Sequence, residues 1–460
     1  MIANWVKQEL GGADLGDRRW NWRLQVTVSA LSARPEASVP QACERWAVTK
    51  GTYRLWAAKQ IEPDAVLAPH SQQTARRCQT EGRVLVVQDT TTLNFSQHVA
   101  TTGLGPAANG TGQGLFVHTA LAVSLTGVPL GVLYQTSWTR SKTAPAHRRS
   151  RPTPQKESQR WLSAWQASQA ALPADVSTIT VADREADLYD LFAQPRQPGQ
   201  DLLVRASQDR RVSEAEQYVW AAIRAQPVHG RCQVAVPRHD DQPSRTAELA
   251  LRWTTVHWQA PHRRTQRGQP PALAVQVLLA EEEAPPAGGE RLCWLLVTTL
   301  PLTSLAEAQQ LLQWYTFRWR IERFHFVLKS GCQIERLQLA TRAHLDRALR
   351  TLDVIAWHLV WLTYLARQQP AAPCTLAVSQ EAWQVLYYHF TPQAAEPTQP
   401  PRLQQAVRWI AQLGGFLGRK HDGEPGVKTL WRGLRRLDDM LAAWRLAQNH
   451  PTPNLTSPYG

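Results

Sequence analysis

The chain has 460 residues, and its 51 lysines and arginines exceed its 37 aspartates and glutamates to give a net charge of +14. This surplus favours a polyanionic partner such as nucleic acid, and the length predicts several domains rather than one simple core. The six cysteines form no CxxC pair and no histidine cluster completes a zinc pattern, so we exclude a zinc-finger protein and expect free thiols in a reducing compartment.

The sequence offers no membrane segment. Its first residues, MIANWVKQELGG, lack the apolar stretch of a signal peptide. The most apolar helical stretch, 353–366, spans about 14 residues and is too short to cross a bilayer. We therefore expect a soluble, cytoplasmic protein with no membrane partner.

Residues 1–75 are predicted to be helical and to form a DNA-binding domain. Basic residues alternate there with aromatic ones, as in QACERWAVTKGTYRLWAAKQI. A small basic helical module fits contact with the DNA backbone. The alternative interpretation is a helical cap on the following domain.

A short apolar run, VLVVQ at 84–88, predicts a strand buried on both faces, which ends at Asp89. A carboxylate at the end of a central strand occupies the place where open α/β sheets carry their sites. Aspartate and threonine also favour turns, so an ordinary strand-ending turn is the alternative.

The next segments repeat this pattern. Strands from Leu115 and Pro129 read as a hairpin, 156–172 as a helix, and a strand from Val176 again ends at an acid, Asp183. A helix and one more strand follow. This order of elements is that of a ribonuclease-H-like α/β core, whose first and fourth strands are neighbours, so the two aspartates should meet.

Short alternating segments between residues 207 and 292 predict an inserted β-rich domain, after which the core resumes. The expected division is 1–75, helical DNA-binding domain; 76–206, first part of the core; 207–292, inserted β-rich domain; 293–342, second part of the core with the catalytic helix; and 343–460, a helical C-terminal region with a possible role in dimerisation.

The stretch from Ser304 to Gly331 reads as one long helix. Ser304 and Glu307 form a capping box, and Gly331 is a C-terminal stop. On a 3.6-residue helix four polar side chains share an arc about 60° wide. Taken alone, this face could be a solvated surface with an ordinary ion pair. The four residues are Tyr315, Arg318, Glu322 and Lys329.

Asp89, Asp183 and Glu322 together suggest a metal site. Carboxylates without neighbouring histidine or cysteine suit Mg²⁺ or Mn²⁺. Two such ions can serve phosphodiester chemistry by activating the attacking oxygen and stabilising the leaving one. The basic charge of the chain independently indicates nucleic acid.

These motifs resemble those of the cut-and-paste DDE transposases of bacterial insertion sequences, in the fourth insertion-sequence family, which includes the transposon-five transposase. The resemblance covers roughly residues 10–345. It is carried by QDTTTLNF around Asp89, by VADREADLYDLF around Asp183, and by a Y-x2-R-x3-E-x6-K signature that Tyr315, Arg318, Glu322 and Lys329 match.

The resemblance implies that Asp89, Asp183 and Glu322 hold two Mg²⁺ ions, for which Mn²⁺ substitutes. It implies cleavage at terminal inverted repeats, a hairpin intermediate, strand transfer to target DNA, a homodimer in the synaptic complex and no small-molecule substrate. It also implies that Trp294 stacks on a flipped base, for which a buried sheet residue is the alternative. The DNA contacts that it suggests are Tyr315, Arg318, Lys329, Trp294, Arg205 and Arg210.

Two further interpretations concern neighbouring residues. Arg205 and Arg210 could equally be surface charges. Glu185 and Asp187 are expected to shape the loop after Asp183 rather than bind metal. The alternatives for the whole chain are a catalytically inactive DNA-binding relative and a ribonuclease-H-like DNA nuclease.

Overall fold

The computed structural model describes residues 2–107, 110, 112–141, 155–214, 218–236, 245–261, 270–285, 291–392 and 399–449. The chain divides into two compact units. The first comprises Met1–Gln73, Thr92–Phe116 and Arg323–Gly460, and the second comprises Thr74–Thr91 and Val117–Glu322.

The N-terminal part is helical, as predicted. The Asp17 side chain caps the second helix by accepting a hydrogen bond of 2.7 Å from the Arg19 amide, which satisfies one of the free N–H groups of the first turn. The helices are α1 (Asn4–Leu10), α2 (Arg18–Ala33), α3 (Val39–Cys43), α4 (Trp46–Ala57) and α5 (Pro63–Glu81).

The core begins with a strand that is buried on both faces. Val84, Leu85, Val86 and Val87 are fully buried, as the continuous apolar run predicts. The strand pairs in parallel with the strand that precedes Asp183. The elements are β1 (Arg83–Asn94), β2 (Gly105–Pro106), β3 (Gln113–Ser124), β4 (Pro129–Trp138), α6 (Gln159–Ala171), β5 (Ser177–Ala182), α7 (Tyr189–Phe192) and β6 (Gln200–Arg205).

The region 207–292 is β-rich, and its strands extend the sheet of the core. Among the described residues ten strands form one sheet, in the order β2-β3-β1-β5-β6-β10-β9-β8-β7, with β4 beside β3. The boundaries of an inserted domain stay a prediction. The elements of this region are α8 (Val219–Arg224), β7 (Gly230–Val236), β8 (Arg245–Gln259) and β9 (Ala272–Glu282). The core resumes with β10 (Cys293–Thr298), which pairs with β6.

A shared apolar core joins these strands to the helices of the second unit. Trp161 of α6, Phe192 of α7 and Trp258 of β8 are all nearly inaccessible and belong to one cluster. The rings of Phe192 and Trp258 meet edge to face, with centroids 5.0 Å apart. Each such side chain contributes about 1.5–3 kcal/mol through burial.

The prediction of one unbroken helix over Ser304–Gly331 is wrong. The chain forms α9 (Leu305–Thr316) and α10 (Trp319–Phe326), then a π-helical turn, Val327–Gly331. The capping box and the end at Gly331 are confirmed.

The break between α9 and α10 coincides with a tertiary contact. Phe317 lies against Gly127 in the β3–β4 turn, where a Cβ on Gly127 would come within 2.9 Å of the Phe317 ring. The Arg320 side chain also donates a hydrogen bond of 3.0 Å to the Gly127 carbonyl. The hairpin turn therefore holds the residues at which the helix changes direction.

The C-terminal part is again helical, as predicted. It contains α11 (Arg342–Gln368), α12 (Gln380–Phe390), α13 (Leu403–Leu413) and α14 (Val427–Asn449). Across the described ranges no helix is both long and apolar enough to cross a membrane. All six cysteines are free thiols.

Candidate active site

The sheet brings Asp89 and Asp183 to equivalent positions on neighbouring parallel strands. Val87 pairs with Val181, so each aspartate lies two residues beyond this pair. Asp183 directly follows β5, as predicted. Asp89 does not end its strand, because β1 continues to Asn94, and the prediction of a strand that stops at Asp89 is therefore wrong.

Glu322 lies in the first turn of α10 and is paired with an arginine four residues earlier. The Arg318 guanidinium donates to the Glu322 carboxylate over 2.6 Å. Half of the Glu322 side chain remains exposed (50%), whereas that of Arg318 is mostly buried. The carboxylate thus has one strong partner and open space around it.

The electrostatic environment of Asp89 includes the other two acids. Burial is the main cause that raises the pKa of Asp89 to about 7; the charges of Asp183 and Glu322 act in the same direction, and the Thr90 amide and Arg318 act against it. The Thr90 amide donates to Asp89 over 2.8 Å. The charges of two carboxylates from distant segments thus act on Asp89, and a shared catalytic role of the three acids stays a prediction.

The carboxylates of Asp89, Asp183 and Glu322 are chemically suited to a hard divalent cation. Carboxylate oxygens are the ligands that Mg²⁺ and Mn²⁺ prefer, and the charges of Asp183 and Glu322 act on Asp89. In this conformation, however, no three Asp, Glu, His or Cys side chains in the described ranges converge closely enough to hold a metal ion.

Tyr315 interacts with two guanidinium groups, those of Arg318 and Arg205. It is 5% exposed, and burial raises the pKa of its hydroxyl while the charges of Arg318 and Arg205 oppose that rise. Arg205 also donates to the Cys293 carbonyl over 3.0 Å. Tyr315, Arg318 and Arg205 are thus grouped near the acids, and a role in phosphate contact stays a prediction.

Trp294 lies within the sheet and is 5% exposed. Its ring meets those of Tyr315 and Trp319 edge to face, at centroid distances of 5.7 and 6.3 Å. Both of its ring neighbours come from the α9–α10 region. Stacking on a flipped base stays a prediction, and it requires this ring to become accessible.

Arg210 is tied into the fold rather than directed to solvent. It forms a buried ion pair with Asp187, with a contact of 2.7 Å, and its guanidinium lies 4.9 Å from the centre of the Trp258 ring. The Asp187 carboxylate also accepts hydrogen bonds from the amides of Ser207 and Gln208. Asp187 therefore shapes the loop, as expected, and a DNA contact through Arg210 would require this pair to open.

Lys329 belongs to the first unit, in the half-buried part of the π-helical turn. Its charge contributes, after burial, to lowering the pKa of the neighbouring His325 to about 3. The acids belong to the second unit, so a shared role for Lys329 stays a prediction from the sequence signature.

One group beside the acids was not singled out from the sequence. Arg160 pairs with Glu185 and donates to the Thr90 hydroxyl over 2.9 Å. His118 is fully buried and contacts the same hydroxyl over 2.9 Å. The only signal for Arg160 was its place in the first turn of α6, which by itself indicates no function.

Comparison with known proteins defines the class. Residues 162–359 match the family model "Transposase DDE domain", residues 2–61 match "Transposase DNA-binding", and residues 354–452 match "Transposase Tn5 dimerisation domain". The chain is a DDE transposase with a ribonuclease-H-like core. Within that class it belongs to the Tn5-like transposases, which are DNA-binding, DNA-cleaving enzymes that use divalent metal and form dimers.

Among solved structures, the chain matches the piggyBac transposase in its synaptic complex with hairpin DNA, determined by cryo-electron microscopy. The two chains share 9% identity, and the match covers 98% of this chain and 79% of that one with a TM-score of 0.39. At this score the similarity carries no further conclusion.

Proposed function

We propose that this transposase binds the terminal inverted repeats of its own element and moves it by cleavage, hairpin formation and strand transfer with two Mg²⁺ ions. Mn²⁺ substitutes in this proposal. The observation that supports it is that Asp89 and Asp183 lie at equivalent positions on neighbouring parallel strands, where the charges of Asp183 and Glu322 both act on the pKa of Asp89. The basic charge of the chain suits the DNA substrate.

Asp89, Asp183 and Glu322 would hold the ions. When bound, these ions supply activation of the attacking oxygen and stabilisation of the leaving one. The protein's own contribution is to fix the three carboxylates and to exclude competing positions of the scissile phosphate. Two strands and one helix give these carboxylates a rigid base.

The cationic and aromatic residues would hold the DNA strand near its end. Arg318 and Arg205 both interact with Tyr315 and suit a phosphate, because guanidinium groups bind phosphate oxygens through two donors. Lys329 is assigned to the same phosphate by the sequence signature, and Trp294 to the flipped base. Arg210 is the weakest of the proposed contacts, since it is 9% exposed in its ion pair.

The Arg318–Glu322 pair suggests how DNA and metal binding are linked. In the DNA-free protein, the arginine neutralises the carboxylate that would serve as a ligand. An arriving phosphate would attract Arg318, and Glu322 would then become available to a cation. DNA binding would thereby favour metal binding.

Residues 1–75 would supply much of the affinity for the transposon ends. Trp46 is 75% exposed and Tyr53 is 39% exposed on α4, which also carries Lys50 and Arg54. Exposed aromatic side chains among cations suit a nucleic-acid surface. The helical region 343–460 would pair two protomers, and the cytoplasmic location stays a prediction.

The deciding experiment is cleavage of DNA that carries the inverted repeats flanking the protein's own gene. Wild type, Glu322→Ala and Asp89→Ala are incubated with Mg²⁺ or with EDTA, and products are separated on a denaturing gel. We expect metal-dependent nicks and a hairpin from wild type only. End binding in EDTA should be equal for all three proteins.

Each failure points to a different alternative. Specific end binding without any cleavage by wild type would favour a catalytically inactive relative. Cleavage of junctions or RNA–DNA hybrids in preference to inverted-repeat ends would favour a ribonuclease-H-like nuclease. Nicks by the Glu322→Ala protein at the wild-type rate would refute the assignment of the three acids.

A further inference from the structure

Arg160 connects the two strand segments that carry Asp89 and Asp183. Its Nε donates to the hydroxyl of Thr90, the residue after Asp89, over 2.9 Å. Its Nη2 pairs with the carboxylate of Glu185, two residues after Asp183. One side chain from α6 thus bonds to both acid-bearing segments without being a carboxylate ligand itself.

The guanidinium is held in place from all sides. Its Nη1 donates to the Glu157 carbonyl over 2.8 Å, so each of its nitrogens has an acceptor. It lies 5.5 Å from the ring centres of both Trp138 and Trp161, and the side chain is only 13% exposed. A lysine cannot reproduce three directed bonds, because its ammonium is a single point of charge.

Thr90 is in turn fixed by buried partners. Its hydroxyl is 2.9 Å from His118 Nδ1, and His118 Nε2 is 3.3 Å from the Gln88 side chain. Gln88 and Thr90 flank Asp89 in β1. The chain of hydrogen bonds therefore runs from Glu185 through Arg160 and Thr90 to His118 and Gln88 and encloses the Asp89 segment.

We propose that Arg160 is a positioning residue that aligns the Asp89 and Asp183 carboxylates for divalent metal. This inference rests on the proposed function of those acids. Groups that orient metal ligands through hydrogen bonds typically change metal affinity or activity 10- to 100-fold when removed. Each guanidinium nitrogen of Arg160 has an acceptor within the protein, so we assign the side chain to the support of the site rather than to a DNA contact.

The test measures metal binding directly. Mn²⁺ is titrated by electron paramagnetic resonance into the complex of each protein with pre-cleaved end DNA, with no target present. The complex of an Asp89→Ala/Glu322→Ala variant gives the background from the DNA and the protein surface. We expect Arg160→Met to weaken specific Mn²⁺ binding about tenfold, with end binding in EDTA unchanged and cleavage partly restored by excess Mn²⁺.

Arg83→Met is the matched control. Arg83 lies at the opposite end of β1, is paired with Asp201 at 3.4 Å, and has its guanidinium 5.7 Å from the centre of the Trp314 ring. Its loss removes an arginine, an ion pair and an aromatic contact at the end of β1 that is remote from Asp89. Mn²⁺ affinity should stay at the wild-type value.

Two further variants keep the test decisive if Arg160→Met does not fold. Arg160→Lys keeps the charge but loses directed bonds, so its Mn²⁺ affinity should lie between those of wild type and Arg160→Met. Thr90→Val keeps the Arg160–Glu185 pair and removes only the acceptor on β1, so it should weaken Mn²⁺ binding to a smaller extent. Wild-type Mn²⁺ affinity in Thr90→Val and Arg160→Lys would overturn the proposal.

The other outcomes are equally distinct. Lost end binding with intact Mn²⁺ affinity in Arg160→Met would make Arg160 a DNA contact and overturn the proposal. If wild type and the Asp89→Ala/Glu322→Ala background bind Mn²⁺ alike, the proposed function itself fails. If those two differ and Arg160→Met equals wild type, only the role of Arg160 fails.

Discussion

Two arginine–carboxylate pairs in the second unit have nearly the same length and opposite surroundings. Arg318 contacts Glu322 over 2.6 Å, and Arg210 contacts Asp187 over 2.7 Å. The Glu322 side chain is 50% exposed, whereas that of Asp187 is 1% exposed. Distance alone therefore does not separate a carboxylate that is available to a ligand from one that belongs to the fold.

The hydrogen bonds around each carboxylate distinguish the available carboxylate from the structural one. Asp187 accepts from two backbone amides, from the Ser207 hydroxyl and from two nitrogens of Arg210. For a buried charge such satisfaction is needed to offset the cost of desolvation. Glu322 has Arg318 as a strong partner at the surface, where an ion can replace it at little cost.

The comparison predicts the largest effect for Glu322→Gln, which should reduce end cleavage to background. The amide keeps the size of the side chain but removes the charge that a cation needs. The free energy of unfolding should change by less than about 1 kcal/mol, because the Glu322 side chain is half exposed and the amide oxygen can still accept a hydrogen bond from Arg318. Gel-based cleavage and urea unfolding of the same preparation check both parts.

A large loss of stability in Glu322→Gln would contradict this assignment. It would mean that the Arg318–Glu322 pair supports the fold in the same way as the buried pair does.

Asp187→Ala should instead have its main effect on stability. Removing the carboxylate leaves Arg210 buried without its counter-charge, which costs about 3–5 kcal/mol. Urea unfolding gives the value. The control is the double variant Asp187→Leu/Arg210→Met, which should recover part of the loss because both charges are replaced by apolar groups.

Equal destabilisation in the single and double variants would show that Asp187 acts mainly through the amides of Ser207 and Gln208 rather than through Arg210.

The sequence was sufficient to predict the strands and acids of the core. The apolar run of β1 and the matching run of β5 mark buried strands in any context, and an acid after each places both at one edge of a parallel pair. The proximity of the two aspartates follows from the parallel pairing of β1 and β5, which the order of elements already predicted. The exact end of β1 was missed, since polar residues 89–94 continue the strand.

Tertiary contacts decided what the sequence could not predict. The break at Phe317 coincides with its contact to Gly127, which lies in a turn distant along the chain. A helical wheel considers only residues within one helix, so it cannot predict such a contact. Arg160 was missed for the same reason, because its partners Thr90 and Glu185 come from two other segments. Burial of Arg210 and Trp294 likewise became visible only in the folded protein.

Trp294 provides a prediction of intermediate size. If its ring stacks on a flipped base, Trp294→Ala should slow hairpin formation roughly tenfold or more, since stacking on an aromatic side chain is worth about 1–3 kcal/mol per base. Time courses on end DNA separate the nick from the hairpin. The first nick should keep its wild-type rate.

The buried ring also has a structural role, so stability has to be measured in parallel. A buried tryptophan replaced by alanine costs about 3–5 kcal/mol. Trp294→Phe retains the contacts with Tyr315 and Trp319 in part and should show a smaller hairpin defect. If nicking and hairpin formation fall equally in both variants, Trp294 acts only as a packing residue.

The smallest expected effect concerns Arg318. An i, i+4 pair with a half-exposed carboxylate is worth about 0.2–0.5 kcal/mol, so removing the arginine that competes for Glu322 should raise the Mn²⁺ affinity of the DNA-free protein about twofold. Arg318→Gln and wild type are compared by electron paramagnetic resonance, with Arg83→Met as the control. The same variant should weaken end binding, because the proposed phosphate ligand is lost.

The distinctive result is that Arg318→Gln strengthens metal binding to the DNA-free protein and weakens DNA binding. If a phosphate and Glu322 compete for Arg318, DNA must strengthen metal binding, and metal must strengthen DNA binding by the same factor, since coupling between two ligands is reciprocal. In Arg318→Gln, the factor by which each ligand strengthens the binding of the other should fall towards one. If Arg318→Gln instead weakens the binding of both metal and DNA, Arg318 supports Glu322 rather than competing for it. The Arg318–Glu322 pair would then resemble the buried Arg210–Asp187 pair in function as well as in length.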